Sequence, residues 1–266
     1  MTAPLSKTIF LWTVVICVLV ILSAPTVVVL GASFTAGNII AFPPEGLSLQ
    51  WYSKIAGARD LWSAFLRSLY VATVCTMIAV PVGTLAGIAL AKYAVRFEKT
   101  IQIYLLLPFT IPLIGSGIGL MLIFGEARLL GQLWPVGVAC CVINLPFMIW
   151  AVMASASGLD SDLELAAANC GAPPLSTFLH VTLPAVVPGV ISGALLMFIL
   201  ALNEFLVSLL LVDARIVTLP VQIYNSIRSI ITPDLAAISV VFIAIAAIAV
   251  LLLDRLVGLE IFLKSK

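Results

Sequence analysis

Long stretches without a charged side chain constrain this chain more than any other feature of it. They run from Thr8 to Pro44, Ser68 to Ala91, Thr100 to Gly125, Leu129 to Leu159 and Leu235 to Leu253. Each can supply the ~20 apolar residues that an α-helix needs to cross ~30 Å of hydrocarbon. Pro184 to Val212 adds a sixth stretch, broken only by Glu204; one carboxyl costs a span ~2.5–3.5 kcal/mol and is tolerated. Of the residues, 63% are hydrophobic and 9% charged, against roughly a quarter charged in a soluble domain. Barrel strands would alternate polar and apolar residues over ~10-residue segments, and no such alternation is present. The expectation is an all-α integral membrane protein, a single domain over residues 1–266 with about six transmembrane helices. Their approximate bounds are 8–32, 66–92, 100–125, 131–157, 184–212 and 234–256, with a polar loop at 159–183.

The net charge of +1 argues against a nucleic-acid surface. Cys17, Cys75, Cys140, Cys141 and Cys170 lie in or beside apolar segments without zinc-ligand spacing, and read as small hydrophobes. The apolar run that follows Lys7 exceeds the ~7–15 residues of a cleavable signal core and is expected to stay as the first span. With the N-terminus inside, Lys7, Lys92, Arg96, Lys99, Arg255, Lys264 and Lys266 face the cytoplasm; Lys54, Arg59, Arg67, Arg128, Arg215 and Arg228 face outward. The totals are nearly balanced, so the three cations packed between Lys92 and Lys99 decide the orientation. Both termini are then cytoplasmic. Trp51, Tyr52 and Trp62 suit a helix lying at the outer interface.

The loop between spans four and five carries the sharpest local signals. Ser161 with Glu164 forms a capping box, Gly171 offers a left-handed terminus, and Pro173 and Pro174 forbid continuation. This predicts a helix of about nine residues. A second short helix is expected from Pro174, with Leu175, Phe178, Leu179 and Thr182 on one stripe before Pro184 opens span five. Neither would persist alone in water. Their apolar stripe must therefore pack under their own bundle, against lipid, or against another protein.

These residues resemble the EAA loop of binding-protein-dependent ABC importer permeases. Ala166 and Ala167 match its alanines, Gly171 its glycine, and Phe178, Val181, Thr182, Leu183 and Pro184 its trailing segment, whereas Leu165 stands in place of the glutamate. Leu49-Gln-Trp-Tyr, Leu107-Pro-Phe-Thr-Ile-Pro, Asn144-Leu-Pro-Phe, Thr218-Leu-Pro-Val-Gln-Ile-Tyr and Ser229-Ile-Ile-Thr-Pro-Asp extend the likeness, which is closest to spermidine/putrescine-type permeases. The resemblance implies a type I importer permease of the methionine-importer-like fold, in a bacterial inner membrane. It implies short cytoplasmic coupling helices that dock on an ATPase subunit through Glu164, Leu165, Ala166, Ala167, Gly171 and Phe178, with Glu164 able to serve for the missing glutamate. It also implies the partners: a second, homologous permease chain, two cytoplasmic ATPase subunits that carry ATP and Mg, and an extracytoplasmic binding protein.

No Gly-x-x-x-x-Gly-Lys-Ser/Thr loop is present, and the lone histidine, His180, can form neither a metal cluster nor a catalytic array. The chain is thus not expected to be an enzyme. Glu204, the one acid well inside a span, stands beside Asn203, and intramembrane acids face a cavity or a partner. Two readings stand: both residues line the path of a cationic solute, or they make a gate or inter-subunit hydrogen bond. Asn144, beside Pro146, carries the same pair of readings. Prolines and glycines in spans two to four, among them Pro81, Gly83, Gly87, Pro108, Pro112 and Gly117, suit either close packing or kinks. A gradient-driven secondary transporter or channel subunit is the alternative, although it would want more intramembrane charge. Polyamines, related amines, other small solutes and ferric iron remain open as cargo.

Overall fold

A computed structural model describes residues 5–93, 96–213, 215–229 and 232–257; Lys264 and Lys266, used above for orientation, lie outside them. Among the described residues the regular elements are helices joined by turns and loops, and one isolated antiparallel bridge links Thr35 to Leu47. By their contacts the described residues fall into two compact units, those within 1–61 and 223–247 and those within 62–222 and 248–266.

In the first unit, α1 (Leu5–Ala32) runs unbroken through Pro25, and its large side chains from Ile9 to Leu22 are exposed, as suits a helix bathed in lipid. Helix α2 (Gln50–Ala56) closes the loop that follows. Trp51 is turned into the unit: it is 7% exposed, and its indole N–H donates to the Thr35 carbonyl at 2.8 Å. The Tyr52 hydroxyl meets Ser33 Oγ at 2.7 Å. Burial of an indole requires a partner for its N–H, and the bridge at Thr35 supplies it. Lys54 pairs with Asp234, at the start of α13 (Pro233–Val257), at 3.0 Å.

The second unit is built around α7 (Leu133–Ser157), whose Val136, Ala139, Cys140, Met148 and Val152 are fully buried. Against it lies α3 (Arg59–Lys92). Gly137 meets Val74, Gly83 meets Met148 and Gly87 meets Val152, each too closely for a Cβ. Partner numbers rise together, so α3 and α7 run in the same direction. On the other side, Gly189 meets Ser155 and Gly193 meets Met148, so the following helix runs antiparallel to α7.

Between α3 and α7 the chain forms α4 (Glu98–Tyr104), α5 (Leu107–Thr110) and α6 (Leu113–Glu126). Expected as one span at 100–125, this segment is instead broken by a 96° bend between Thr110 and Leu113. Ile111 is extended (φ −89°, ψ 131°) because a residue before proline, here Pro112, is pushed out of the helical region. Two parallel membrane helices require one crossing between them, which makes this bent segment a broken span and not a re-entrant loop. Phe109 anchors the bend, its ring 5.0 Å from Phe147 and 5.9 Å from Trp150.

Four helices among the described residues are long and apolar enough to cross a membrane, and the bent segment makes five. Helix α13 falls where the sixth was expected; at 25 residues it measures about 37 Å, and its side chains are described as far as Ile248.

Candidate coupling and translocation sites

Helix α8 (Ser161–Asn169) follows α7 and is nine residues long. Its N-cap is Asp160 and not Ser161: Asp160 Oδ1 accepts the Asp162 N–H at 2.9 Å. The expected capping box does not form, because its glutamate is engaged elsewhere. At the other end Gly171 takes φ +83°. The Gly171 N–H donates to the Ala168 carbonyl and the Ala172 N–H to that of Ala167, the paired bonds that close a helix through a left-handed residue.

The expected second loop helix is not separate. α9 (Pro174–Thr177) passes through a π turn, Phe178–Thr182, into α10 (Leu183–Leu202), so the helix runs through Pro184 without a stop. The Leu183 N–H donates to the Phe178 carbonyl, five residues back. The wider turn relieves the clash that a proline ring makes with the carbonyl four residues before it.

Glu164 points back toward the membrane helices. It accepts from Lys92, the last residue of α3, and from the Thr182 hydroxyl at the end of the π turn, both at Oε1. The Lys92 ammonium first, then the Thr182 hydroxyl, hold the Glu164 carboxyl below the usual carboxylate range. Sequence reasoning used Lys92 only as a topogenic cation and missed its contact, since nothing local links residues 72 apart. Leu165 faces the other way and is 60% exposed; Leu163, Ala166, Leu175 and Leu179 are exposed as well, Ala167 and Phe178 half-buried. His180 is also exposed, its Nδ1 3.0 Å from the Ser176 carbonyl.

Span five, expected intact over 184–212, is broken: its first helix ends at Leu202, and α11 (Leu206–Leu211) follows the break. Both polar residues serve that break. Asn203 Nδ2 donates to the Ile199 carbonyl at 2.9 Å, and Glu204 Oε1 accepts the Val207 N–H at 3.1 Å. Asn203 is exposed and Glu204 half-buried. The second halves of the two broken spans pack together: Gly117 of α6 lies against Leu210 of α11, and the Gly131 N–H donates to the Leu211 carbonyl at 3.0 Å. Asn144 is 7% exposed and spends Nδ2 on the Cys140 carbonyl of its own helix, at 3.0 Å. Among the described residues no group of three His, Cys, Asp or Glu could hold a metal ion.

The family described as "Binding-protein-dependent transport system inner membrane component" matches residues 79–259. The chain is 29% identical over 216 residues to the putative 2-aminoethylphosphonate transport system permease protein PhnV of Salmonella typhimurium, covering 80% of this chain and 81% of that one. It is 31% identical over 205 residues to the molybdenum transport system permease protein ModB of Mycobacterium tuberculosis (71% and 77% covered). To the putrescine transport system permease protein PotI of Escherichia coli it is 28% identical over 249 residues, covering 89% and 87%.

Proposed function

The chain belongs to the family of binding-protein-dependent transport system inner membrane components, and from that premise we propose that it forms half of the translocation path for a small amine-bearing cation of the polyamine class. Membership makes it a multi-pass permease subunit of an ABC importer, with ATP on a partner ATPase and a binding protein as a further partner. A gradient-driven transporter is thereby set aside.

In this reading α8 and the π-turn segment are the coupling element, and their exposed Leu163, Leu165, Leu175 and Leu179 dock on the ATPase. An apolar face of this kind needs a partner. Helix α8 lies on the same side as Lys92, in the segment whose cations favour the cytoplasm, and the N-terminus is cytoplasmic too. A second permease chain, homologous and distinct, completes the pore, because one set of about six spans carries no internal repeat from which to build two halves.

The cargo class rests on one observation: the acid within span five, Glu204, sits at a helix break beside Asn203, where backbone and carboxylate can face a path. The relative named for putrescine supports an amine, and the one named for 2-aminoethylphosphonate shares the ammonium group; the one named for molybdenum does not. Uptake of radiolabelled putrescine, 2-aminoethylphosphonate and molybdate by the complete system distinguishes them. The expected result is uptake of putrescine that falls about tenfold in Glu204→Gln with ATPase subunits still bound. Carriage of molybdate alone, or kinetics indifferent to that substitution, would refute the amine reading.

A further inference from the structure

The interaction at Glu164 joins three elements that are remote in sequence: the end of α3 through Lys92, the coupling helix α8, and the π turn that leads into α10 through Thr182. One carboxylate oxygen accepts from both donors. The Lys92 side chain is 14% exposed, so its charge has little water to lean on, and removing its acid leaves an ammonium poorly compensated. Thr182 is buried, and its hydroxyl crosses to α8, whereas a helical threonine usually bonds back to its own helix.

The facing of the two neighbouring residues matters as much. Leu165 stands in the outward register and is exposed, while Glu164, one position earlier, is turned inward with Ala167. The acid is spent inside the subunit, and the neighbour in the outward register is apolar.

Resting on the permease reading above, we propose that Lys92, Glu164 and Thr182 are positioning residues for energy coupling, tying the coupling helix to α3 and α10 so that displacement of α8 by the ATPase moves both membrane helices together. Glu164 then transmits force within the chain and makes no contact with the ATPase. The π turn fits this role: it sits between the lever and the span it drives, and such turns gather at functional sites.

The test uses the complete permease–ATPase assembly in nanodiscs, with amide hydrogen exchange read with and without ATP and vanadate. No transported solute is required. In the wild-type complex the nucleotide should change exchange in α8, in residues 86–93 and in residues 178–186. In Glu164→Gln, Lys92→Met and Thr182→Val, ATPase subunits should stay bound and the change in α8 should persist, while the response at 86–93 shrinks about fivefold. The exchanged pair, Lys92→Glu with Glu164→Lys, should restore it. A merely structural role predicts loss of assembly, or equal loosening of all three segments without nucleotide, and does not predict rescue. An undiminished response at 86–93 in Glu164→Gln and Thr182→Val, or release of the ATPase by Glu164→Gln alone, would overturn the proposal. Failure of the ATPase to bind the wild-type chain at all would instead count against the permease reading.

Discussion

At the scale of single residues, position within a turn decides what a side chain can do. Glu164 and Leu165 are neighbours, yet one is half-buried against Lys92 and Thr182 and the other is exposed. Because the folded pKa of Glu164 is depressed by its donors, its contribution to holding α8 has a definite sign with pH. It is complete above the unfolded carboxyl value of about 4.3, declines as pH falls below it, and is gone beneath the folded value. Amide exchange in α8 followed through that acid range should show the release, and Lys92→Met should remove most of its pH dependence. Of the residues proposed from sequence for the path, Asn203 and Glu204 stand together at one break, while Asn144 is buried with its amide donor spent on its own helix. Sequence could show that these groups were polar at membrane depth; it could not show which backbone groups would take their hydrogen bonds.

At the scale of elements, length and end signals were legible where they are local. The nine residues of α8, the left-handed Gly171 and the stop before Pro174 follow from short-range chemistry. The capping residue was misplaced by one because Glu164 is drawn to a lysine that no local pattern reveals. Span five departs from a single uninterrupted helix for a related reason: a π turn carries the helix through Pro184, and the bonds of Asn203 and Glu204 accompany its break after Leu202. The exposed stripe of the coupling segment sets an element-scale expectation. Phe178→Asp adds a charge beside Leu175 and Leu179, and burying it unpaired in an interface costs ~3–5 kcal/mol. The membrane fold should survive, but ATP hydrolysis and solute uptake should separate. Normal binding-protein-stimulated ATPase activity in the reconstituted variant would show that this face is not buried against the ATPase.

At the scale of the whole molecule, helix direction connects the pieces. The parallel α3 and α7, with the antiparallel α10, fix the bent segment as a crossing, and the contact between Lys92 and Glu164 puts α8 on the side of the cation-rich turn after α3. Orientation then reduces to one measurement. A cysteine introduced at the exposed Ala168 of a variant lacking Cys170 should react with a membrane-impermeant maleimide only in inside-out vesicles, and labelling of intact cells would reverse the topology.

Apolar segments of sufficient length, and the charges that interrupt them, were enough by themselves to determine a helical membrane protein, because a backbone in hydrocarbon must satisfy its hydrogen bonds internally. Local caps and prolines likewise marked the coupling helix. Only the tertiary structure decided where spans three and five break, which way Glu164 turns, and which cation meets it. Those outcomes depend on contacts between residues far apart in the chain, and a periodic pattern of apolar side chains holds no record of them.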